Sequence, residues 1–564
     1  MLSESKLEII KKISNDFSRD EIIWTKGYLA GLIDGQKITS VSDTVIPSKV
    51  LKTSILYGTE TGNAKKTALQ LASEFKKAKL TVKTSDLQTY KIEDLSKEEL
   101  VIFVLSTQGD GEFPAGAVKF YNSLVSTTTD FSGLKFAVFG LGDSSYPLFC
   151  NAALLLNETL KSKKAVEILP VFKGDVDYEI HINNWYNQVL KVIENEKSNV
   201  APIFLKTISE ASTHEKKTYT GTIQKNIVLN DRGSLKRTHH LEISTAEQVL
   251  YSPGDALGIF PKNNKDEILK IINLISASSQ DQIKIKNEIK SIEEWLEILN
   301  IRGLSGKTLE SVSHLIGVKL NTSKSDLYPL LLQSSGTIDA EKLLTLLGKI
   351  APRLYSIASS PAAHEGEVHL TVGLNTFTVD GNKHYGLGSG YLCEMKEGTE
   401  IEYYIHKNSS FRLPAEDKDI IMIGPGTGIA PFRSFIAERD AAGHSGNNWL
   451  FFGEQTFAYD FYYQTEIQEW LSTGTLTKFN GAFSRDQKNK VYVQHRMKEN
   501  AEELLEWIES GASIYVCGQK EPMSKDVENT LLEIISQGKG ISLEKANEYL
   551  DDMISDNRYL KDVY

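Results

Sequence analysis

Three short stretches combine glycine, hydroxyl side chains and free backbone amides in the way a phosphate or a flat heterocycle requires. The first, YGTETGNA at 57–64, leaves the β-branched and aromatic run TSILYG and opens a helical pattern. Thr59, Thr61, Gly62 and Asn63 supply hydroxyls, a small backbone and exposed amides at a helix start, where the positive helix end attracts a phosphate. An ordinary βα turn uses the same residue types, so this stretch alone does not separate the two. STQGDGEFP at 106–114 and FGLGDSSY at 139–146 shift the balance, because each also follows a predicted strand. An open α/β sheet collects ligands at the carboxyl ends of its strands. Three polar loops on that edge make one site, and Tyr146 offers a ring to stack on its occupant.

A second group of motifs lies downstream. In RLYSIASS, 353–360, Arg353 suits a diphosphate, Tyr355 a flat ring system and Ser356 the reactive edge of that ring. HLTVGL offers backbone contacts at Thr371, Val372 and Gly373, and GLGSGYL at 386–392 offers a Gly/Ser turn for a pyrophosphate. GPGTGIAPFR, 424–433, follows a strand and enters a helix. Its glycines 424, 426 and 428 let a backbone approach a pyrophosphate, without forming the G-x-G-x-x-G fingerprint. FSRDQKNKVYVQ, 483–494, groups Ser484, Arg485 and Lys490, a hydroxyl and two cations that suit a 2′-phosphate. Tyr492 can stack on an adenine and Gln494 can hydrogen-bond it; a solvated basic turn is the plain alternative. IYVCG puts Cys517 at a strand end, where an inert core thiol is the alternative. The sequence finishes NRYLKDVY, with Asp562 and Tyr564 where few contacts usually hold a chain.

The elements that must position these residues change character along the chain. From 53, TSILYG, TVKTSD, LVIFVLS, KFAVFGL and EILPVF alternate with helical stretches, the pattern of a parallel sheet with covering helices. A β-rich region begins near Tyr219, punctuated by the turn Pro253-Gly254-Asp255. Residues 265 to about 348 are Leu- and Ile-rich with helical spacing, after which strands resume, so a β-barrel interrupted by a helical insertion is expected. A last α/β block carries DIIMIGPGTG, WLFFGE, LTKFNGAFS and SIYVCG. The expected divisions are a helical segment at 1–50, with capping-box pairs Ser5/Glu8 and Ser18/Glu21, an α/β domain at 51–195 and a linker at 196–216. The barrel then occupies 217–416 and the final domain 417–564.

Bulk properties exclude several classes. A formal net charge of −11 argues against a nucleic-acid binder. No run approaches the roughly 20 apolar residues of a membrane helix, and MLSESKLEIIKKISNDF makes a poor signal peptide. Cys150, Cys393 and Cys517 lie far apart and form no paired metal motif, which suits a reducing cytoplasm and implies neither metal nor disulfides.

The order and spacing of these motifs over 53–564 resemble the diflavin reductase family. The resemblance implies a flavodoxin-like FMN domain, an FAD-binding barrel with a helical insertion, and a ferredoxin–NADP reductase-like nucleotide domain. STQG, LGDSSY…FC, PGDALG, FRLP and the final RY…DVY are similar to the sulfite reductase flavoproteins within it. Microsomal monooxygenase reductases differ, with a tyrosine where Gln108 stands. FMN contacts are then implied for Thr59, Glu60, Thr61, Gly62, Asn63 and Ala64 in the first loop and Ser106, Thr107, Gln108 and Gly109 in the second. The third loop adds Leu141, Gly142, Asp143, Tyr146, Phe149 and Cys150, with Asp175 beyond it. FAD contacts are implied for Arg353, Leu354, Tyr355, Ser356, Thr371, Val372, Gly373, Gly386, Gly388, Ser389 and Tyr564. NADPH contacts are implied for Gly426, Thr427, Gly428, Ser484, Arg485, Lys490, Tyr492, Gln494 and Asp526. Ser356, Cys517 and Asp562 would shape hydride transfer, with Tyr564 covering the flavin until nicotinamide arrives. The implied path runs from NADPH through FAD and FMN to the haem/iron–sulfur subunit of sulfite reductase, yielding sulfide. A soluble diflavin reductase serving another haem protein remains the alternative. A homo-oligomer held by residues 1–50 is also implied.

Overall fold

The computed structural model describes residues 52–564 except 79, 110, 145–147, 176–177, 198–216, 320–325 and 380–381. The expected amino-terminal helices, most of the expected linker and Tyr146 lie outside the described residues. Among the described residues no helix is long and apolar enough to cross a membrane.

Six strands form the first sheet: β1 (Thr53–Gly58), β2 (Val82–Asp86), β3 (Leu100–Ser106), β4 (Lys135–Leu141), β5 (Val166–Glu167) and β6 (Phe172–Gly174). Their order is β2-β1-β3-β4-β5, with β6 also on β4, and every pairing is parallel. Such a sheet must be covered on both faces, so its strands read as continuous apolar runs. In β3, Ile102 and Val104 enter one core with Phe75, Phe139 and Trp185, while Val101, Phe103 and Leu105 enter the opposite core with Phe120 and Leu156. The order reverses between β1 and β3, which opens a crevice at their carboxyl ends.

The second sheet uses β7 (Thr218–Val228), β8 (Thr238–Thr245), β9 (Ala256–Ile259), β12 (Arg353–Ser356), β13 (Glu367–Gly373) and β16 (Glu400–His406), in the order β12-β9-β16-β7-β8-β13 and antiparallel throughout. A bridge between Ile357 and Leu370, with Ala358 N–H donating to His369 O at 2.8 Å, joins the two edges and closes a barrel. Closure removes the unpaired edges an open sheet would expose. Between β9 and β12 lie the hairpin β10 (Gln282–Ile285)–β11 (Glu288–Ser291) and the helices from Lys265–Leu274 to Ala340–Leu346, which share a core of their own around Trp295, Leu296 and Leu344. A second hairpin, β14 (Thr376–Val379)–β15 (Asn382–Tyr385), follows β13. The Pro253-Gly254-Asp255 turn has a specific need for glycine. Gly254 has φ +95°, and a Cβ there would stand 1.8 Å from the Phe411 carbonyl oxygen.

The third sheet is parallel, in the order β19-β18-β17-β20-β21: β17 (Ile420–Ile423), β18 (Asn448–Glu454), β19 (Lys478–Phe483), β20 (Ser513–Gly518) and β21 (Tyr559–Val563). Its crevice falls between β17 and β20. This sheet is fixed to the barrel by Arg433 of the helix Ile429–Ala442. Arg433 donates to Ala358 O at 2.7 Å and to His369 Nδ1 at 3.1 Å, and it grips Glu466 through two bonds of 2.6 and 2.8 Å. Removing Arg433 leaves the buried Ala358 carbonyl and His369 Nδ1 without their donor, while Glu466 keeps partial contact with water. Arg433→Ala is therefore expected to cost about 3 kcal/mol, read as a lower midpoint in urea unfolding of the full chain.

Candidate active site

The three loops named from the sequence emerge together at the carboxyl ends of β1, β3 and β4. Thr59 Oγ1 accepts Gly62 N–H at 2.9 Å, which turns the first loop tightly into the helix Asn63–Lys77. That helix starts from Gly62 at φ +101° with no side chain capping its amides, so its first N–H groups remain for an anion. Ser106 Oγ reaches Gly58 O at 3.3 Å, and Thr107 N–H reaches Leu141 O at 2.8 Å, lacing the loops to one another. Gln108 and Glu112 exchange backbone hydrogen bonds across a turn in which Gly109 and Gly111 both have positive φ. Gly142 N–H donates to Gly174 O at 2.9 Å, and Asp175 accepts Ser144 N–H at 3.0 Å. Thr107 Oγ1 is buried without a hydrogen-bond partner. A buried hydroxyl left unpaired is costly, and together with the open helix end it fits a flavin mononucleotide. Phe149 lies against Gly142. Cys150 is wholly buried, its thiol 3.7 Å from Gly174 O and pushed up to about 12 by burial.

At the barrel edge, Gly388 brings the helix Leu387–Glu394 against β12. A Cβ on Gly388 would stand 2.7 Å from Tyr355 Oη and 2.9 Å from Arg353 Cγ. The helix has no side-chain cap at Gly386, so its amide end meets the Arg353 stem, a pairing that fits a diphosphate-linked flavin. Ser389 Oγ accepts Asn375 N–H at 3.1 Å. Leu354 is exposed and Val372 buried. Thr371 turns its hydroxyl to Tyr463 Oη at 2.6 Å, so its backbone rather than its side chain remains for a ligand. Gly373 lies beside Thr427, whose Cγ2 would be 3.2 Å from a Cβ there.

Thr427 belongs to the loop Gly424–Gly428, which leaves β17. A Cβ on Gly428 would stand 2.2 Å from Cys517 O, so the loop lies flush on the end of β20. Three residues from distant parts of the sequence meet here. Ser356 Oγ donates to Asp562 Oδ2 at 2.9 Å, and Asp562 pairs with Cys517 in the β20–β21 register. Burial pushes the Cys517 thiol well up, and the Asp562 carboxylate adds to the shift. Burial also raises Asp562, with the Ser356 bond and the charge of His406 pulling the other way. Tyr564 hydroxyl meets Thr427 Oγ1 at 2.6 Å, and the residue as a whole is 63% exposed.

At the carboxyl end of β19, the edge strand of the same sheet, Ser484 is buried, with its N–H on Glu454 O at 2.9 Å. Arg485 and Lys490 are exposed, and among the described residues neither joins an ion pair. Tyr492 is exposed, and Gln494 Nε2 reaches Asp526 Oδ2 at 3.3 Å. Two uncommitted cations beside a buried hydroxyl fit the phosphorylated ribose of NADPH.

Sequence reasoning missed His406, Arg433 and Lys520. His406 Nδ1 lies 3.3 Å from Asp143 of the third loop, and the Lys520 ammonium pairs with Glu60 of the first. No motif marks these contacts: Asp143 and Glu60 lie hundreds of residues from His406 and Lys520, and Arg433, which closes the GPGTGIAPFR stretch, meets Ala358, His369 and Glu466 in other elements. His240, Glu242 and His369 also gather, with possible ligand atoms within 4.8 Å of one another. Arg433 can only donate, so His369 Nδ1 accepts and its proton sits on Nε2, which faces Glu367 at 2.9 Å. Burial and the nearby arginine hold His369 down to about 2. The His369 imidazole is thus neutral with both nitrogens committed, and no lone pair is left on it for a metal.

Family models match three stretches of the chain. A flavodoxin model matches residues 55–185, an FAD binding domain model 318–391, and an oxidoreductase NAD-binding domain model 422–529. The fold and site thus define a diflavin reductase, an NADPH-dependent flavoprotein oxidoreductase using FMN and FAD. The chain is 34% identical over 591 residues to the sulfite reductase [NADPH] flavoprotein alpha-component of Vibrio cholerae, covering all of this chain and 96% of that one. It is 35% identical to the proteins of the same name from Vibrio vulnificus and Klebsiella pneumoniae, covering all of this chain and 96% and 98% of theirs. It belongs to the family of NADPH sulfite reductase flavoprotein alpha-components.

An acid whose folded pKa lies above its unfolded value keeps its proton longer in the native state. Stability is then lost as pH rises from the ordinary carboxylate range through the raised value. Asp562→Asn removes that loss while its amide oxygen still accepts from Ser356. Thermal melts from pH 4 to pH 7 are expected to show the variant gaining on the parent as pH rises (acidic to neutral range, from the ordinary carboxylate pKa of about 4).

Proposed function

We propose that this chain takes electrons from NADPH and passes them by way of FAD and FMN to a haem/iron–sulfur subunit that reduces sulfite to sulfide. The observation that carries the reading is the meeting of Ser356, Cys517 and Asp562 under the Gly424–Gly428 loop, in a chain similar over its whole length to sulfite reductase flavoproteins. The flavins supply two-electron acceptance from a hydride donor and one-electron release to a haem protein. The chain's own residues supply the rest. Thr59–Ala64 would hold the FMN phosphate on the Asn63–Lys77 helix end, and the loops from Ser106 and Leu141 its ring. Arg353 and the Gly386–Ser389 turn would hold the FAD diphosphate. Arg485, Lys490 and Ser484 would select NADPH by its extra phosphate, with Tyr492 stacking on adenine.

At the reacting edge the Ser356 hydroxyl is oriented by Asp562, and the buried neutral thiol of Cys517 gives a dry, uncharged wall beside the nicotinamide. Tyr564 must leave its position on Thr427 for the nicotinamide to approach. The free cysteines suit a cytoplasmic location. Residues 1–50 are assigned to self-association, which the solution mass of a chain lacking them would test.

Sulfite-dependent NADPH oxidation is expected when the purified chain is combined with the haem subunit. No rate there, with rapid reduction of a different haem protein, would assign another acceptor. Arg485→Ala is expected to lower the NADPH-over-NADH ratio of kcat/KM by at least about tenfold, the size of a lost charged hydrogen bond. Deleting Tyr564 is expected to alter NADPH affinity and weaken discrimination against NADH in the same assay.

A further inference from the structure

Lys520 stands just past Cys517 and touches both ends of the electron path. Its N–H donates to the Tyr564 carbonyl at 3.0 Å, while Tyr564 N–H donates to Gly518 O at 3.1 Å, so residues 518–520 clip the final residue in place. Its ammonium pairs with Oε1 of Glu60 in the first flavin loop. Glu60 is itself anchored, because its other oxygen accepts Ala115 N–H at 2.9 Å at the start of the helix Ala115–Ser126. A second ion pair crosses the same contact, Lys65 to Asp551 at 2.7 Å. Lys561 of β21 adds a close approach, its Cε 4.0 Å from where a Cβ on Gly62 would stand. The flavodoxin-like domain thus rests its phosphate loop on the segment that holds Tyr564.

We propose that Lys520 is a positioning residue that links docking of the flavodoxin-like domain to the placement of Tyr564 over the nicotinamide site. The pair with Glu60 fixes the Lys520 backbone, the backbone fixes the Tyr564 carbonyl, and the carbonyl keeps the phenol on Thr427. A nicotinamide that displaces Tyr564 then works against the docked arrangement, and release of the flavodoxin-like domain eases the displacement. Such a link is reciprocal: whatever loosens one side favours the other by the same factor. The proposal rests on the reading of Tyr564 as the cover.

The test is a double-mutant cycle read by NADP+ binding to the full-length holoenzyme, each form brought to full FMN and FAD content and titrated calorimetrically. Glu60→Gln lies outside the nicotinamide crevice, so a merely structural role for Lys520 predicts no change in NADP+ affinity. The link predicts NADP+ binding about threefold tighter, the scale of a partly screened ion pair, and no further change when Glu60→Gln is added to Tyr564→Ala. Lys520→Ala is expected to match Glu60→Gln, and Lys520→Arg to keep the parent affinity. An equal Glu60→Gln effect in both backgrounds would overturn the link. So would no effect of Glu60→Gln where Tyr564→Ala does shift affinity, and that result leaves the cover reading standing. Unchanged affinity in Tyr564→Ala alone would defeat the cover reading, and the link with it.

Discussion

The approach of Gly428 to the carbonyl of Cys517 is the contact on which the site depends. With 2.2 Å between a would-be Cβ and that oxygen, no larger residue lets the β17 loop lie against the end of β20. The approach narrows the crevice at the point where the strand order reverses. It also fixes Thr427, one residue earlier, beside both Gly373 of the barrel and Tyr564 of the final strand. The barrel, the third sheet and Tyr564 therefore share one corner, kept open because backbone occupies so little of it.

Charge is arranged to match. Just past β19 stand exposed cations at 485 and 490, placed to attract an anion from water. The floor is buried: a thiol, a hydroxyl, and a carboxylate whose ionisation burial opposes. Charge that is present there is costly unless it is paired or hydrogen-bonded. Where charge is buried, as at Arg433, it is paired bidentately and serves to hold two domains together.

The sequence was most legible where one local pattern decides the outcome. The parallel sheet followed from runs such as LVIFVLS, whose alternate residues enter two cores. The loops followed from glycines placed after those runs. Ser356, Cys517 and Asp562 could be named because each sits in a recognisable motif, yet only β20–β21 pairing and closure of the barrel bring them together. The contacts of Lys520, His406 and Arg433 were not legible. Long-range pairing leaves no periodic trace, and a lysine in a polar turn looks the same whether it faces water or Glu60. Thr371 shows the same limit from within a motif: its hydroxyl is spent on Tyr463, a partner far along the chain.

The insertion between β9 and β12 has a consequence for how the protein is made. Arg353 pairs with Ile259 across the whole inserted segment, so the barrel's first edge cannot form until the ends of that segment are near each other. Closing so long a loop as flexible chain would carry an entropic cost that rises with its length. An insertion with its own core, centred on Trp295 and Leu344, can order itself from local contacts and present its two ends already close together. In this view it acts as a splint during folding. The strand Arg353–Ser356 then owes its position to a segment with a separate core, and damage deep in the insertion would surface first as slow or incomplete closure of the barrel.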